Sequence, residues 1–143
     1  MIVKKVSIRN FRNIKTAEFE PDEKMNVFYG PNAQGKTNLL EAIWLFTGAK
    51  SFRGAKDSEF IKFGQEEAQI KTEFLKDGAL LDAEMKIGER RKAFLNGNSL
   101  PSPGALAGNF CALVFSPQDI ALIKDGPSVR RRFLDTAIFQ IYY

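Results

Sequence analysis

Gly30-Pro31-Asn32-Ala33-Gln34-Gly35-Lys36-Thr37 brings together residue types that hold polyphosphates, at the spacing G-x-x-x-x-G-K-[ST]. Glycines let backbone N–H groups turn inward around an anion, and the helix that follows points its positive end at the same place. Lys36 is placed to reach the β- and γ-phosphates of a nucleoside triphosphate, and the Thr37 hydroxyl to coordinate Mg2+. Gly30 and Gly35 make the bend possible. Asn32 and Gln34 carry the polar side chains nearest the terminal phosphate, Pro31 and Ala33 complete the loop, and Asn38 opens the helix. A left-handed backbone at Ala33 is costlier than at glycine.

A competing reading is an ordinary glycine turn that caps a helix. The flanks decide against it. Met25 to Tyr29 is a short apolar stretch that reads as a strand, and Asn38 to Phe46 is apolar at helical spacing, so strand, glycine loop and helix follow in order. The sequence therefore predicts a site for a nucleoside triphosphate with Mg2+.

Hydrolysis needs a further group near the metal and the attacking water. Leu80-Leu81-Asp82-Ala83-Glu84 ends in carboxylates but alternates like an exposed hairpin strand. Gln118 and Asp119 are better placed, because the apolar run Cys111 to Phe115 reads as a buried strand leading toward them. Either side chain could approach the γ-phosphate; Asp119 could equally cap a helix starting near Pro117.

The elements that must position these residues can be read in outline. Ile2 to Phe11 is a strand with Ile2, Val6 and Ile8 on one face, a pattern that Lys4 breaks. A second strand, Thr16 to Phe19, returns through Asn13. The loop helix should end near Gly48, and a short element is expected at Glu59-Phe60-Ile61 within a polar loop. From Gln69 the period changes to two, with hairpin turns at Asp77-Gly78 and Asn96-Gly97, which predicts an antiparallel meander as a sub-lobe. Short helices are expected at Pro101 to Gly108 and Pro117 to Ile123, and a longer one starting at Pro127. The chain stops inside an apolar helical pattern at Gln140 to Tyr143, which reads as a cut.

A chain of 143 residues with 44% hydrophobic and 27% charged residues suits one globular domain. No apolar run is long enough to span a bilayer, and no secretory leader is legible. The single cysteine, Cys111, allows no internal disulfide, suits a reducing cytoplasm and is expected to fill the core. The absence of histidine excludes His metal sites and Ser-His or Cys-His catalysis, and the net charge of +4 favours polyanionic partners.

Together these residues resemble the bacterial RecF family of DNA replication and repair proteins, SMC-like relatives of the ABC ATPases. The similarity rests on Ile8-Arg9-Asn10-Phe11-Arg12-Asn13, the loop and helix from Gly30 to Ile43, and Ser51-Phe52-Arg53. It continues through Phe115-Ser116-Pro117-Gln118-Asp119, Gly126-Pro127 and Arg130-Arg131-Arg132-Phe133-Leu134-Asp135. Ala33 departs from the family's usual glycine, and Gln118 stands where the family has a carboxylate but where the wider ABC group has its Q-loop glutamine.

The resemblance implies an α/β P-loop NTPase of the ABC/SMC-like head type, with a mixed sheet, the P-loop helix and the meander. Residues 1–143 would form the amino-terminal part of that head, with the signature motif, Walker B carboxylates and helical arm beyond. It also implies Arg12 beside the phosphates, Asn13 and Lys15 close to base or ribose, and Gln118 sensing Mg2+ and water. In the family two heads sandwich ATP and clamp DNA, act with recombination mediator proteins in DNA damage repair and the SOS response, and hydrolyse ATP slowly. Arg130, Arg131 and Arg132 are candidate DNA contacts, although successive helical residues point about 100° apart. Other function classes remain open: a transporter's nucleotide-binding subunit, a small P-loop kinase using Asp119, or a nucleotide-binding module without catalysis.

Overall fold

The computed structural model describes residues 1–117 and 126–141. Its frame is a six-stranded sheet in the order β2-β1-β3-β4-β5-β6. The strands are β1 (Ile2–Phe11), β2 (Ile14–Phe19), β3 (Ala68–Lys76), β4 (Ala79–Ile87), β5 (Arg91–Leu95) and β6 (Asn98–Ser99). Every described pairing is antiparallel. The meander is thus continuous with the opening hairpin, because β1 pairs β2 along one edge and β3 along the other.

Register lines up the apolar alternation across four strands. Ile8 faces Ile70, Ile70 faces Met85 and Met85 faces Ala93, all buried on one side of the sheet. The irregularity at Lys4 has a structural cause: the β1–β3 register shifts between Val3 and Lys5. A bulge of this kind lets the strand keep its apolar face inward on both sides of an extra residue. Thr72, buried on that face, satisfies its hydroxyl by donating to the Lys5 carbonyl at 3.0 Å. Both hairpin turns have left-handed residues at Asp77, Gly78, Asn96 and Gly97, as their sequences predict. On the outer face, burial pushes the Glu84 carboxyl up, but the Gln69 amide together with Lys71 and Lys86 outweighs it and holds the group below its ordinary range.

Helix α1 (Lys36–Trp44) lies against the buried side of the sheet and tightens into a 3-10 turn at Leu45–Thr47. Its apolar stripe (Ala42, Trp44, Leu45, Phe46) joins the core. Gly48 ends it in the left-handed conformation, and a Cβ there would come 2.9 Å from the Pro103 carbonyl. The expected short elements appear as 3-10 turns at Asp57–Phe60 and Pro103–Leu106. Phe110 locks the second turn down between Phe46 and Phe74, with ring centroids 5.6 and 5.2 Å away. Helix α2 (Pro127–Ile141) begins at Pro127, as expected; Pro117 to Ile123 falls largely outside the described residues.

Two expected strands do not form among the described residues. Met25 to Tyr29 pairs with no neighbour, and Met25, Val27 and Tyr29 are exposed. Local polar bonds hold its approach in a turn: the Asn26 side chain accepts from the Asp22 N–H and donates to the Asp22 carbonyl, which competes with a ladder. Cys111 to Phe115 was expected to be a buried strand. Instead Leu113 and Phe115 are 73% and 83% exposed, while only Ala112 and Val114 lean on the core. The Ala112 N–H donates to the Gln140 side chain at 2.9 Å, so α2 takes the bond a partner strand would make. Cys111 is exposed rather than core filler.

Candidate nucleotide-binding site

The loop from Gly30 to Gly35 has left-handed backbone at Gly30 (φ 141°), Ala33 (φ 65°) and Gly35 (φ 99°). Alternating handedness of this kind turns successive N–H groups to one side, the geometry of an anion nest. At the start of α1 the Gly35 cap provides no side-chain bond and the first turn has no acidic residue. The first N–H groups of a helix have no internal acceptor, so this end keeps both its donors and its positive potential for an anion. The Lys36 ammonium spans the loop, donating at 2.6 Å to the carbonyls of Gly30 and Pro31. A lysine has three such donors, which leaves one directed elsewhere. The Thr37 side chain is exposed beside it.

The β1–β2 turn presses on this loop. Its two residues, Arg12 and Asn13, link Phe11 to Ile14 directly across the hairpin. Asn13 donates to the Ala33 carbonyl at 2.9 Å and accepts from the Asn38 amide at 2.8 Å. Its backbone carbonyl accepts from Lys62 at 3.2 Å. Arg53 in turn donates to Asn38 at 2.8 Å. Gly35 is required for two reasons: its φ, and the space it leaves for Asn13, whose Oδ1 would lie 2.9 Å from an added Cβ. Gly35→Ala is therefore expected to cost about 1–3 kcal/mol of stability through backbone strain alone. Thermal unfolding that leaves the variant equal to the parent would show that the left-handed bend is not formed.

Arg12 precedes Asn13 in the same turn. It adopts φ 51° and donates to the fully buried Glu41 at 2.7 Å, while its guanidinium lies 5.2 Å from the Phe60 ring centroid. Its backbone N–H donates to the Phe60 carbonyl at 2.7 Å. Glu41 also accepts from the Ser51 hydroxyl and lies 3.6 Å from Arg53. Sequence reading assigned no role to Glu41, Ser51, Arg53 or Lys62. The available signal was a lone carboxylate in the apolar run of α1, one helical turn from Asn38 and from Leu45, on a face that turns inward.

Gln118 and Asp119 lie outside the described residues, as does the side chain of Arg132. Arg130 and Arg131 are exposed on α2. Asp82 and Glu84 belong to the outer ladder of the sheet, so they form no metal site with the loop. Among the described residues no group of three or more Asp, Glu or Cys could hold a metal ion. A single hydroxyl, Thr37, still fits Mg2+, which keeps several waters and binds chiefly through substrate phosphates. A cavity of about 600 Å³ beside α1 is lined by Lys36 and Thr37 together with Phe19, Phe28, Leu40 and Ile43.

Residues 1–96 match the profile of the AAA ATPase domain. The chain belongs to that family. The RecF resemblance holds over nearly its whole length: it is 43% identical to the DNA replication and repair protein RecF of Ruminiclostridium cellulolyticum, with 99% of this chain and 39% of the relative aligned. RecF of Lachnospira eligens is 40% identical over the same shares. The chain thus spans about two fifths of the length of the curated relatives it matches. Among solved structures it is similar to the recombination mediator protein RecF-ATPrS of the RecFOR pathway, with a TM-score of 0.91 and 42% identity over 97% of this chain and 38% of that one. The SMC head domain from Thermotoga maritima shares the fold, with a TM-score of 0.59 and 20% identity over 78% of this chain and 43% of that one. The P-loop ATPase fold of the ABC/SMC-like head expected from the sequence is therefore the fold present, as part of a domain. Among the described residues no helix is long and apolar enough to cross a membrane.

Proposed function

We propose that this chain is the amino-terminal, ATP-binding part of a RecF-type ATPase head acting in DNA repair. The observation that carries the reading is the uncapped amino terminus of α1 behind a loop with three left-handed residues, spanned by Lys36. Residues 30–37 would hold the phosphates, and Thr37 would hold Mg2+ with phosphate oxygens and water completing the shell. Asn38, Arg12 and Asn13 belong to the same site from behind. Gln118 is proposed to sense metal and water, with Asp119 as the further candidate. A similar protein was solved as RecF-ATP, at 42% identity over 95% of this chain, which supports ATP as the nucleotide.

In the full-length protein, ATP would draw two heads into a homodimer that clamps DNA at gaps or at single- and double-strand junctions. Hydrolysis would be slow and confined to that dimer. Partners would be recombination mediator proteins, and the setting the cytoplasm during the SOS response. Arg130, Arg131 and Arg132 are proposed DNA contacts. If Arg130 and Arg131 of each head neutralise one phosphate apiece, log affinity for gapped DNA should fall against log salt with a slope of about −3 to −4. Sedimentation of the full-length protein with and without ATP, followed by DNA titration at several salt concentrations, tests both steps. Dimers that form regardless of ATP, or DNA affinity indifferent to salt, would overturn the clamp.

A further inference from the structure

We propose that Arg53, Asn38 and Asn13 form a one-way hydrogen-bond relay that sets the P-loop by its Ala33 carbonyl, so that the β1–β2 turn holds a left-handed bend that glycine would adopt without strain. The proposal rests on reading residues 30–37 as the nucleotide site and adds what holds that site in shape.

The chemistry at the two ends fixes the direction of the chain. Arginine only donates, so the atom of Asn38 that meets Arg53 at 2.8 Å must be its carbonyl oxygen. The Asn38 amide nitrogen is then left for Asn13, 2.8 Å away, which must present its own oxygen. The Asn13 nitrogen therefore points at Ala33, whose carbonyl only accepts, at 2.9 Å. No amide in the chain can flip without setting two like groups against each other. Donation runs from a cation to a neutral carbonyl, and each bond polarises the next in the same sense.

Both ends are anchored. Arg53 lies 3.6 Å from the fully buried Glu41, which is itself held by Arg12 and Ser51. Asn13 cannot slide, because its amide packs over Gly35 and its backbone carbonyl accepts from Lys62. The point of application is informative. Ala33 is the non-glycine residue of the loop with left-handed backbone, φ 65°, where an L-residue meets a steric penalty. The relay grips the loop at the one residue that would otherwise relax out of the anion-binding shape.

The test is the affinity of the full-length protein for a labelled ATP analogue, with the unfolding midpoint measured alongside. Asn13→Ala and Asn38→Asp should each weaken binding about tenfold, the scale of one ordinary buried hydrogen bond. Asn38→Asp keeps the acceptor for Arg53 but offers Asn13 no donor, and it preserves shape should the alanine variant fold poorly. The double variant should be no weaker than the worse single, because both break one chain. Ala33→Gly added to Asn13→Ala should restore most of the lost affinity, since glycine holds that φ unaided. A merely structural asparagine would lower the unfolding midpoint without this rescue. Parental affinity in the single variants, additive losses, or no recovery with Ala33→Gly each overturns the relay. Lys36→Ala in the same assay separates the two readings. If it abolishes binding while the asparagine variants bind normally, only the relay falls; if it too binds normally, the nucleotide site falls and takes the relay with it.

Discussion

Replacement of Lys36 by alanine is expected to weaken binding of an ATP analogue at least a hundredfold while the fold survives. The ammonium performs two tasks at once. It ties the carbonyls of Gly30 and Pro31 together from inside the loop at 2.6 Å each, and it brings a positive charge to the mouth of the nest. Hydrogen bonds to charged groups contribute about 1.5–3 kcal/mol each, so losing two from the ammonium to phosphate oxygens comes to about 3–6 kcal/mol of binding. That range corresponds to a factor of about 10² to 10⁴ in affinity. The side chain is only partly buried, so the unfolding midpoint should move little by comparison. Lys36→Met keeps the aliphatic stem and removes only the charge, which separates packing from electrostatics. Equilibrium titration decides the matter: an alanine variant that binds as tightly as the parent leaves no phosphate site at residues 30–37.

What the sequence displayed and what it concealed divide along physical lines. Local signals were legible because they depend on neighbours in the chain. The glycine spacing of the loop, the period-two alternation of β3 and β4, and the Asp77-Gly78 and Asn96-Gly97 turns all act within a few residues, and all are in place. Lys4 stood out of its strand pattern, and a bulge accounts for it. Strands that depend on distant partners were overread. Met25 to Tyr29 and Cys111 to Phe115 have strand composition, yet among the described residues neither joins the sheet. Composition records an affinity for burial but not whether a partner is there.

The polar machinery behind the loop was concealed for a similar reason. Arg12, Asn13, Asn38, Glu41, Ser51 and Arg53 are joined in space from three separate stretches of chain, and no spacing rule connects them. Arg12 was expected beside phosphates on the strength of a family pattern. Its described contacts are Glu41, the Glu59 carbonyl and the Phe60 ring, none of which its place in the chain displays.

Glu41→Ala should then be the most destabilising single change at the site, by about 3–5 kcal/mol, the usual cost of removing one partner from a buried ion pair. The carboxylate is inaccessible to water, and three side chains converge on it. Without it the Arg12 guanidinium, only 16% exposed, keeps its charge with no counterion, and the buried Ser51 hydroxyl loses its acceptor. Against a typical domain stability of 5–15 kcal/mol such a loss is large enough to read directly from the midpoint of urea unfolding. Glu41→Gln retains one oxygen for Arg12, the same one Arg53 approaches, but turns an N–H₂ toward Ser51, whose hydroxyl already donates there. Its cost should be smaller, about 1–3 kcal/mol. The sign of the interaction can be isolated with Arg12→Ala. In a double-mutant cycle Arg12→Ala and Glu41→Ala should couple strongly, because each single change strands the other's charge. Additive losses would mean that the pair is solvated and that Glu41 is held by Ser51 alone. The effect also reaches the loop: Arg53 leans on Glu41, so releasing it slackens the donor that orders Asn38. Nucleotide affinity should therefore drop in Glu41→Gln even at temperatures where the protein stays fully folded, a linkage that a purely architectural carboxylate would lack.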